Sequence, residues 1–443
     1  MLQNMLIHVR DAVWSLPLLC SVVGIAGTVT VMLGFVQFRQ FFQSWKLIFK
    51  VRDGGSAGAI SPIQAFLKSL STSLGNGALA GIATALHAGG PGAAFWIFFI
   101  GLFGMALRFA EVYLSNAFSG ISKAGKALGG PFLYLQKVPG GKVLPYVYAA
   151  LCLGYGLFSG TAMQCNSISM SITQMVSSIS VWSIGLVLTV FILYTLLGGA
   201  QRIVKVNSVI VPLKVILFFT VCTGVLLYHW TAIPAAISLI VKAAFNPQAF
   251  TGGALGVTVI HVFRLSMART INASEIGLGT AGVIYGATGS KDPLDNGLSA
   301  MLGTFISVNL VCSMVALSIV ASGALDSGTT GAALTSIAFQ SAFGAFGGWS
   351  VTLLSILFGM GVFVAYGFIG RECWLFLTGH RFEHVFTVLF CAVSFWGAVS
   401  DVSVVWASVD IINAGCLVIN LFAVVWLLPF MRSKVLPALA KRD

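Results

Sequence analysis

Long runs of apolar residues recur along the whole chain and leave room for little else. A helix that crosses a bilayer needs about 20 such residues, and charged residues, glycines and prolines separate eleven runs of about that length. The 443 residues are 58% hydrophobic and 8% charged, against about 25% charged in soluble domains. These features exclude a soluble enzyme and predict an all-α integral membrane protein. The predicted spans cover residues 14–38, 62–86, 91–117, 144–173, 180–199, 206–229, 258–286, 297–322, 348–370, 385–400 and 403–430.

The cations are distributed unevenly between the two sides of these spans. If the N-terminus is outside, seventeen of the 24 Lys and Arg fall in cytoplasmic segments, against only Arg10 and Lys242 in outer segments. This asymmetry is the positive-inside pattern. It predicts a multi-pass protein of the plasma (inner) membrane with its N-terminus outside and its C-terminus in the cytoplasm. The basic residues form no dense cluster that could follow a phosphate backbone, so nucleic acid is not expected as a partner.

Two of the spans are interrupted by polar, glycine-rich stretches, at residues 71–77 and 272–279. Backbone that leaves the helix inside a membrane is tolerated only where it lines a cavity or packs against protein. Each stretch lies about a dozen residues into its span, at a depth of about 20 Å, and the two spans enter from opposite sides. We therefore expect the two breaks to meet near the middle of the membrane.

The positions of the broken spans suggest an internal repeat within one transmembrane domain, residues 1–443. Without the extra helix at 14–38, ten spans divide into a five-helix repeat at 62–229 and a second one at 258–430, each led by a broken helix. Because five is odd, the repeats are inverted. Matched broken helices in inverted repeats mark the binding sites of secondary transporters, whereas either stretch alone is also explained by close helix packing.

The broken ends predict the kind of solute. A half-helix that begins near Ala78 would direct free N–H groups at an anion, and carbonyls near Thr72 and Ser73 could hold a cation or an ammonium. A small zwitterion carries one group for each end.

Several segments resemble the alanine or glycine:cation symporter family, and this resemblance extends over most of the chain. The resemblance implies the leucine-transporter superfold, with a five-plus-five inverted repeat and one additional N-terminal helix. It also implies cation-coupled import of a small neutral amino acid, alanine or glycine in L or D form, by alternating access. The similar segments are residues 74–85, 89–96, 104–105, 108–112, 129–131, 164–167, 198–199, 202–203, 212 and 274–279.

Eight residues are expected to contact the substrate. The glycines bring backbones close together and so favour a small substrate, and the resemblance favours Gln164 over Asn166 in the fourth span. Glu275 has three possible roles, namely binding the substrate ammonium, capping the second half-helix or pairing with Arg269. The expected substrate residues are Gly75, Asn76, Gly77, Gln164, Ser274, Glu275, Gly277 and Tyr366, the last at a position where the family usually has tryptophan.

The coupling ion, Na⁺ or H⁺, is left open because the chain lacks oxygen ligands that the resemblance leads one to expect. Ser307-Val308 stands in place of an Asp-Thr pair and Gly361-Val362 in place of a Ser-Thr pair. Two lysines near the first break offer another route, since burial disfavours an ammonium and lets it act as a proton carrier. Snorkelling to the inner interface is the alternative for both. The candidate coupling residues are Lys68, Lys214, Thr72 and Ser73.

Other functions fit the sequence less well. A proton-coupled or uncoupled carrier of another small zwitterion is one alternative, and a channel is another, although no repeated filter sequence is visible. Catalytic motifs such as His-Glu-x-x-His are missing, so no enzyme and no cofactor are expected, and a metal site is not assigned. The expected partners are a small amino acid and the lipid bilayer, and a monomer is compatible with the sequence. Arg108 and Glu111 predict an i,i+3 ion pair, and Asp410 has no obvious neighbour.

Overall fold

The computed structural model describes residues 2–49, 62–121, 127–246, 259–286, 292–379 and 381–441. Within these ranges the chain is almost entirely helical. The exception is a short antiparallel pair, β1 (Gly120–Ile121) and β2 (Ala127–Leu128). The prediction of an all-α protein is therefore confirmed apart from this hairpin.

The first part of the chain forms thirteen helices, with one interruption in what the sequence predicted as the second span. They are α1 (Leu2–Val13), α2 (Leu16–Met32), α3 (Val36–Arg39), α4 (Phe41–Phe49), α5 (Pro62–Ser73), α6 (Ile82–Gly89), α7 (Ala93–Ala117), α8 (Pro131–Tyr134), α9 (Leu144–Leu157), α10 (Met163–Met175), α11 (Val181–Leu197), α12 (Gly199–Tyr228) and α13 (Ile233–Phe245).

The second part begins with another interrupted pair. Its helices are α14 (Val259–Ser274), α15 (Thr280–Gly286), α16 (Pro293–Thr304), α17 (Ser313–Ala321), α18 (Gly331–Phe343), α19 (Ala345–Thr378), α20 (Glu383–Val399) and α21 (Val402–Ala440). Two π-helical segments, Phe158–Ala162 and Phe305–Cys312, join helices end to end. A third, Gly77–Gly81, follows the first interruption and leads directly into α6.

Six segments of the described chain are long and apolar enough to cross a membrane. A seventh is formed if α1 and α2, which are bent by 41° at their junction, count as one span. The count of eleven spans and the division into inverted repeats remain predictions. The six segments are Ala93–Ala117, Leu144–Met175, Val206–Tyr228, Pro293–Ala321, Ala345–Thr378 and Val402–Ala440.

Apolar side chains cover both the interior and the outer surface of the bundle. On α11, for example, Ile192 is buried while Val187 is 67% exposed. A helix that is apolar on all sides is typical of a membrane span. The polar side chains are instead concentrated inside, around the points where α5 and α14 end. This interior is formed by the two broken helices together with α7, α10, α12, α19 and α21.

Candidate functional site

The first broken helix is interrupted between Ser73, where α5 ends, and Gly77, where a π-helical turn begins. The backbone N–H of Asn76, freed by this interruption, donates to Oε1 of Gln164 at 2.9 Å. The Gln164 amide in turn donates to the carbonyl of Ser159 at 3.1 Å, which fixes its orientation. The N–H that the sequence offers to a substrate anion is thus occupied by a neutral amide oxygen in this conformation.

The two glycines of the first break lie where other helices approach closely. A Cβ at Gly75 would lie 2.8 Å from Cγ2 of Val362 and 3.3 Å from Oε1 of Gln164. A Cβ at Gly77 would lie 3.1 Å from Cα of Ala273, in the last turn of α14. The backbones of the two broken helices therefore touch at Gly77, and a solute between them would have to be small.

The second interruption lies between the end of α14 and the start of α15. Glu275, Gly277 and Gly279 have φ angles of 60°, 82° and 78°. This left-handed region is unfavourable for residues with a side chain, at a cost of about 1–3 kcal/mol. Because α14 continues through Ser274, the interruption begins three residues later than the predicted stretch 272–279.

Gly277 packs against α21 and away from Gly77. A Cβ at Gly277 would contact Cδ1 of Leu417, and its carbonyl accepts a hydrogen bond from Asn420 at 2.8 Å. Asn420 also donates to Oε1 of Glu111 at 2.7 Å, and the same oxygen accepts from the backbone N–H of Gly279 at 3.3 Å. The second break is therefore fastened to α21 and α7 through its backbone.

Arg108 connects both broken helices, although it belongs to α7. Its guanidinium donates to the carbonyls of Ser274 at 2.8 Å and Glu275 at 3.1 Å, and to the hydroxyl of Ser73 at 3.1 Å. The predicted ion pair with Glu111 is also present, at 3.7 Å. Sequence reasoning found this pair and missed the contacts with the breaks. The sequence signal that could have revealed these contacts is the position of Arg108, about 22 Å into an apolar helix.

The carboxylate of Glu275 is fully engaged within the protein. It accepts hydrogen bonds from the hydroxyls of Tyr366 at 2.5 Å and Thr280 at 2.8 Å, and it lies 3.8 Å from Arg108. Thr280 is the first residue of α15, so Glu275 lies beside the start of the second half-helix, and its capping of that helix stays a prediction. The predicted pairing of Glu275 with Arg269 is wrong, because Arg269 lies in a different ion pair.

That second ion pair joins α14 to α21. Arg269 contacts Asp410 at 3.0 Å and stacks over the ring of Trp406 at 4.5 Å. Asn272 donates to the other carboxylate oxygen of Asp410 at 2.6 Å and accepts a hydrogen bond from Asn413. Asp410, for which the sequence suggested no neighbour, is thus the centre of a buried polar cluster.

Lys214 of α12 reaches the first break directly. Its ammonium donates to the carbonyl of Leu74 at 2.7 Å and to that of Ser71 at 3.1 Å, and the side chain has no exposed surface. These carbonyls are free because α5 ends there, at the negative end of its dipole. A Cβ at Gly361 would lie 2.7 Å from the ammonium, so glycine leaves the space that Lys214 fills. Lys214 does not snorkel.

The other coupling candidates are placed differently. The ammonium of Lys68 is buried without a hydrogen-bond partner among the described residues and lies 4.2 Å from the ring centre of Phe368. The hydroxyl of Thr72 donates to the carbonyl of Ser69 at 2.8 Å, and that of Ser73 donates across to α14 at 3.4 Å. Of the four candidates, Lys214 alone places a charged group on the freed carbonyls.

Gln164 and Asn166 have separate environments, as their spacing on α10 requires. Gln164 contacts the first break, whereas the Asn166 amide donates to the carbonyls of Gly397 at 3.0 Å and Ser400 at 2.8 Å, near the end of α20. Across the described ranges, no group of three or more His, Cys, Asp and Glu side chains is placed to hold a metal ion. The charged groups at the breaks are thus arranged to bind backbone and each other.

The chain is similar over nearly its whole length to known membrane transporters. A family model described as the sodium:alanine symporter family matches residues 1–437. A transporter of Haemophilus influenzae is 32% identical over 429 residues, which cover 96% of this chain and 94% of the relative. The sodium/alanine symporter AgcS of Methanococcus maripaludis is 29% identical over 428 residues, which cover 95% and 93%.

A solved structure gives the same architecture at low sequence identity. The crystal structure of MhsT in complex with L-phenylalanine, a LeuT-fold transporter, matches with a TM-score of 0.60 and 13% identity, over 85% of this chain and 90% of MhsT. This likeness establishes the fold. The family model and the relatives establish a transporter and exclude an enzyme, and they support cation-coupled amino-acid symport. The chain belongs to the sodium:alanine symporter family.

Proposed function

We propose that this protein imports alanine or glycine, in L or D form, by alternating access around the two broken helices. The close approach of Gly77 to Ala273 supports a small substrate, because little more than an amino-acid backbone could enter there. The Methanococcus maripaludis relative, a sodium/alanine symporter, supports alanine as the substrate. In this proposal the substrate carboxylate binds the N–H groups of the first break, starting at Asn76, and replaces the oxygen of Gln164.

We further propose that a proton carried by Lys214 is the coupling ion. The observation that carries this proposal is the ammonium of Lys214 on the carbonyls of Leu74 and Ser71. A sodium ion on the same carbonyls would lie next to a positive charge, and the two repel each other strongly in an interior of low dielectric constant. The described residues include no carboxylate in a salt bridge with Lys214, so loss of its proton would remove an uncompensated buried charge.

The proposed coupling follows from what the ammonium binds. Protonated Lys214 ties α12 to the first break, and a neutral amine has one donor fewer and no charge with which to hold two carbonyls. Release of the proton to the cytoplasm would therefore loosen the break on the side from which the substrate leaves. Gly361 and Val362 stand where the family resemblance leads one to expect a Ser-Thr pair. The loss of these two oxygen ligands supports the same assignment.

The test is uptake of labelled alanine and glycine into proteoliposomes, with sodium and proton gradients imposed separately. We expect accumulation to follow the proton gradient, and Lys214→Met to abolish it while exchange of internal for external substrate continues. Lys68→Met is the matched control, because that buried lysine does not contact the break, and its variant should accumulate substrate. Accumulation that follows sodium alone and persists in Lys214→Met would overturn the coupling proposal. Absence of both alanine and glycine exchange would overturn the substrate.

A further inference from the structure

A cavity of about 420 Å³ lies away from the site described above, between α2, α7, α13 and α14. Its volume is within the range of about 300–1,000 Å³ that is usual for ligand sites. Every side chain that lines it is aliphatic, aromatic or a thioether. The indole N–H of Trp96 points to no ligand, because it donates to the carbonyl of Ala244 at 3.3 Å. The cavity therefore offers no polar partner to a solute from water.

The cavity extends from the outer surface of the bundle to the second break. At its mouth, Val23 is 48% exposed and Phe103 is 43% exposed, on a surface that faces hydrocarbon in a membrane. At its inner end, the lining side chains Ile271 and Ile276 are buried. Ile276 lies between Glu275 and Gly277 in the interruption itself. A ligand would thus enter from the lipid and end at the broken helix.

The dimensions of the cavity match one leaflet. Its lining residues on α7 run from Phe95 to Leu107, a length of about 18 Å at 1.5 Å per residue. That is somewhat more than half of the hydrocarbon thickness of about 30 Å. An amino acid would lose the hydration of two charges here without compensation. A hydrocarbon chain would only replace empty space with dispersion contacts.

We propose that this cavity binds one acyl chain of a phospholipid from the leaflet next to α13. Phe245, the last residue of α13, lies with Phe95 at one end of the cavity's lining on α7, and their ring centres are 5.2 Å apart. Trp96 lies at the same end, with its ring centre 5.7 Å from that of Phe245, and this end would be nearest the headgroup because tryptophan concentrates there in membrane proteins. The inference concerns a separate site and does not rest on the proposed substrate or coupling ion.

The acyl chain bears on the transport site through Ile276. This side chain packs directly against α7, because Gly104 has no Cβ to keep it away. Gly104 and Ile276 both line the cavity. A chain in the cavity fills the space into which Ile276 would otherwise turn, and so it holds Glu275 in contact with Tyr366 and Thr280.

Two glycines of α2 provide a matched test of occupancy. Gly27 lines the cavity and Gly24, one turn away, does not, and a Cβ at either position meets no atom within 4 Å. Gly27→Phe should therefore fill the cavity without a clash at Cβ, and Gly24→Phe is the control. Each variant and the wild type are reconstituted in phospholipid with brominated acyl chains, which quench nearby tryptophans. The contribution of Trp96 is obtained by comparing each protein with its Trp96→Phe counterpart.

We expect bromine to quench Trp96 in the wild type and in Gly24→Phe, and at least half of that quenching to be lost in Gly27→Phe. Equal quenching in all three proteins would overturn the site. If Gly27→Phe fails to fold, an unquenched Trp96 in the wild type would overturn it as well. The link to Ile276 predicts slower hydrogen exchange at residues 275–279 when phospholipid is restored to delipidated protein, and an unchanged rate would overturn that link.

Discussion

At the scale of single residues, the backbone groups freed by the two breaks are bound by side chains from other helices. Gln164 binds an N–H of the first break, Lys214 binds its carbonyls, and Arg108 binds the carbonyls of the second. A buried backbone group left without a partner costs about 1–3 kcal/mol, and lipid offers none. These three side chains therefore make the interruptions possible in a membrane.

Gly77→Ala should abolish most transport, because the new Cβ would press on backbone and not on a movable side chain. The nearest atoms are Cα of Ala273 at 3.1 Å and the carbonyl oxygen of Asn272 at 3.2 Å. We expect the initial uptake rate to fall at least about tenfold, equivalent to about 1.4 kcal/mol in the barrier. Gly24→Ala, in open space, is the control. Uptake by Gly77→Ala at the wild-type rate, with equal expression, would contradict the close contact.

Arg108→Met should destabilise the protein strongly, since it leaves the carboxylates of Glu111 and Glu275 buried without a cation. Removing one partner of a buried ion pair costs about 3–5 kcal/mol. The comparison is Arg371→Met, whose ion pair with Glu383 is 30% and 43% exposed and should contribute at most about 1 kcal/mol. Thermal unfolding of the detergent-solubilised proteins measures both effects. Equal melting temperatures for the two variants would rule out the bridging role of Arg108.

At the scale of helices, α14 and α21 are joined by several contacts. Besides the ion pair of Arg269 with Asp410, the indole of Trp14 donates to the carbonyl of Asp410 at 3.0 Å. Asp11 of α1 lies 3.8 Å from Arg264 of α14. α1 and Trp14, which follows it, therefore bridge the same two helices.

A double-mutant cycle on Arg269 and Asp410 should show strong coupling between α14 and α21. Asp410→Leu alone leaves a buried guanidinium whose Nε and Nη1 already lack hydrogen-bond partners among the described residues, and we expect a loss of about 3–5 kcal/mol. Adding Arg269→Met should restore most of the melting temperature, because an apolar pair replaces the lone charge. Additive losses in the double variant would show that the two side chains are not energetically linked.

The sequence predicted the breaks but not their partners, and the reason is physical. Glycine and short polar residues in an apolar span signal backbone outside the helix wherever they occur, so both interruptions were visible locally. Pairing with Glu275, six residues away, was one possibility for Arg269, whereas its partner Asp410 is 141 residues distant and is brought close only by the fold. The π-helical segments at Phe158–Ala162 and Phe305–Cys312 went unpredicted because the chain stays helical through them and the apolar pattern is not interrupted.

At the scale of the whole molecule, composition alone was enough for the class and family-level motifs were enough for the fold. The predicted membership of the family is confirmed, and so is an all-helical architecture shared with a LeuT-fold transporter. The number of spans was harder to predict, because α11 and α20 have 17 residues each and are shorter than the usual length. The two helices pack against each other, and a hydropathy pattern does not contain such a contact.

The orientation predicted from the cations can be tested with fusions after Asp443. In a bacterial host, green fluorescent protein attached there should fluoresce and alkaline phosphatase should be inactive, because the latter needs disulfides that form only outside the cytoplasm. The physical basis is the retention of Lys and Arg on the inner side. A fusion before Met1 should give the reverse result. Active phosphatase at the C-terminus would invert the assignment of both termini.

The hydrogen bond from the Asn76 N–H to Gln164 has one further consequence, for the affinity of the proposed substrate site. The backbone N–H of Asn76 is therefore already paired within the protein, with a neutral acceptor. In the proposed binding mode, a substrate carboxylate displaces the Gln164 oxygen from this N–H. Its net binding free energy is then the difference between a charged acceptor and the neutral acceptor that it displaces. The modest affinity that results favours transport, because a substrate bound too tightly would be released too slowly.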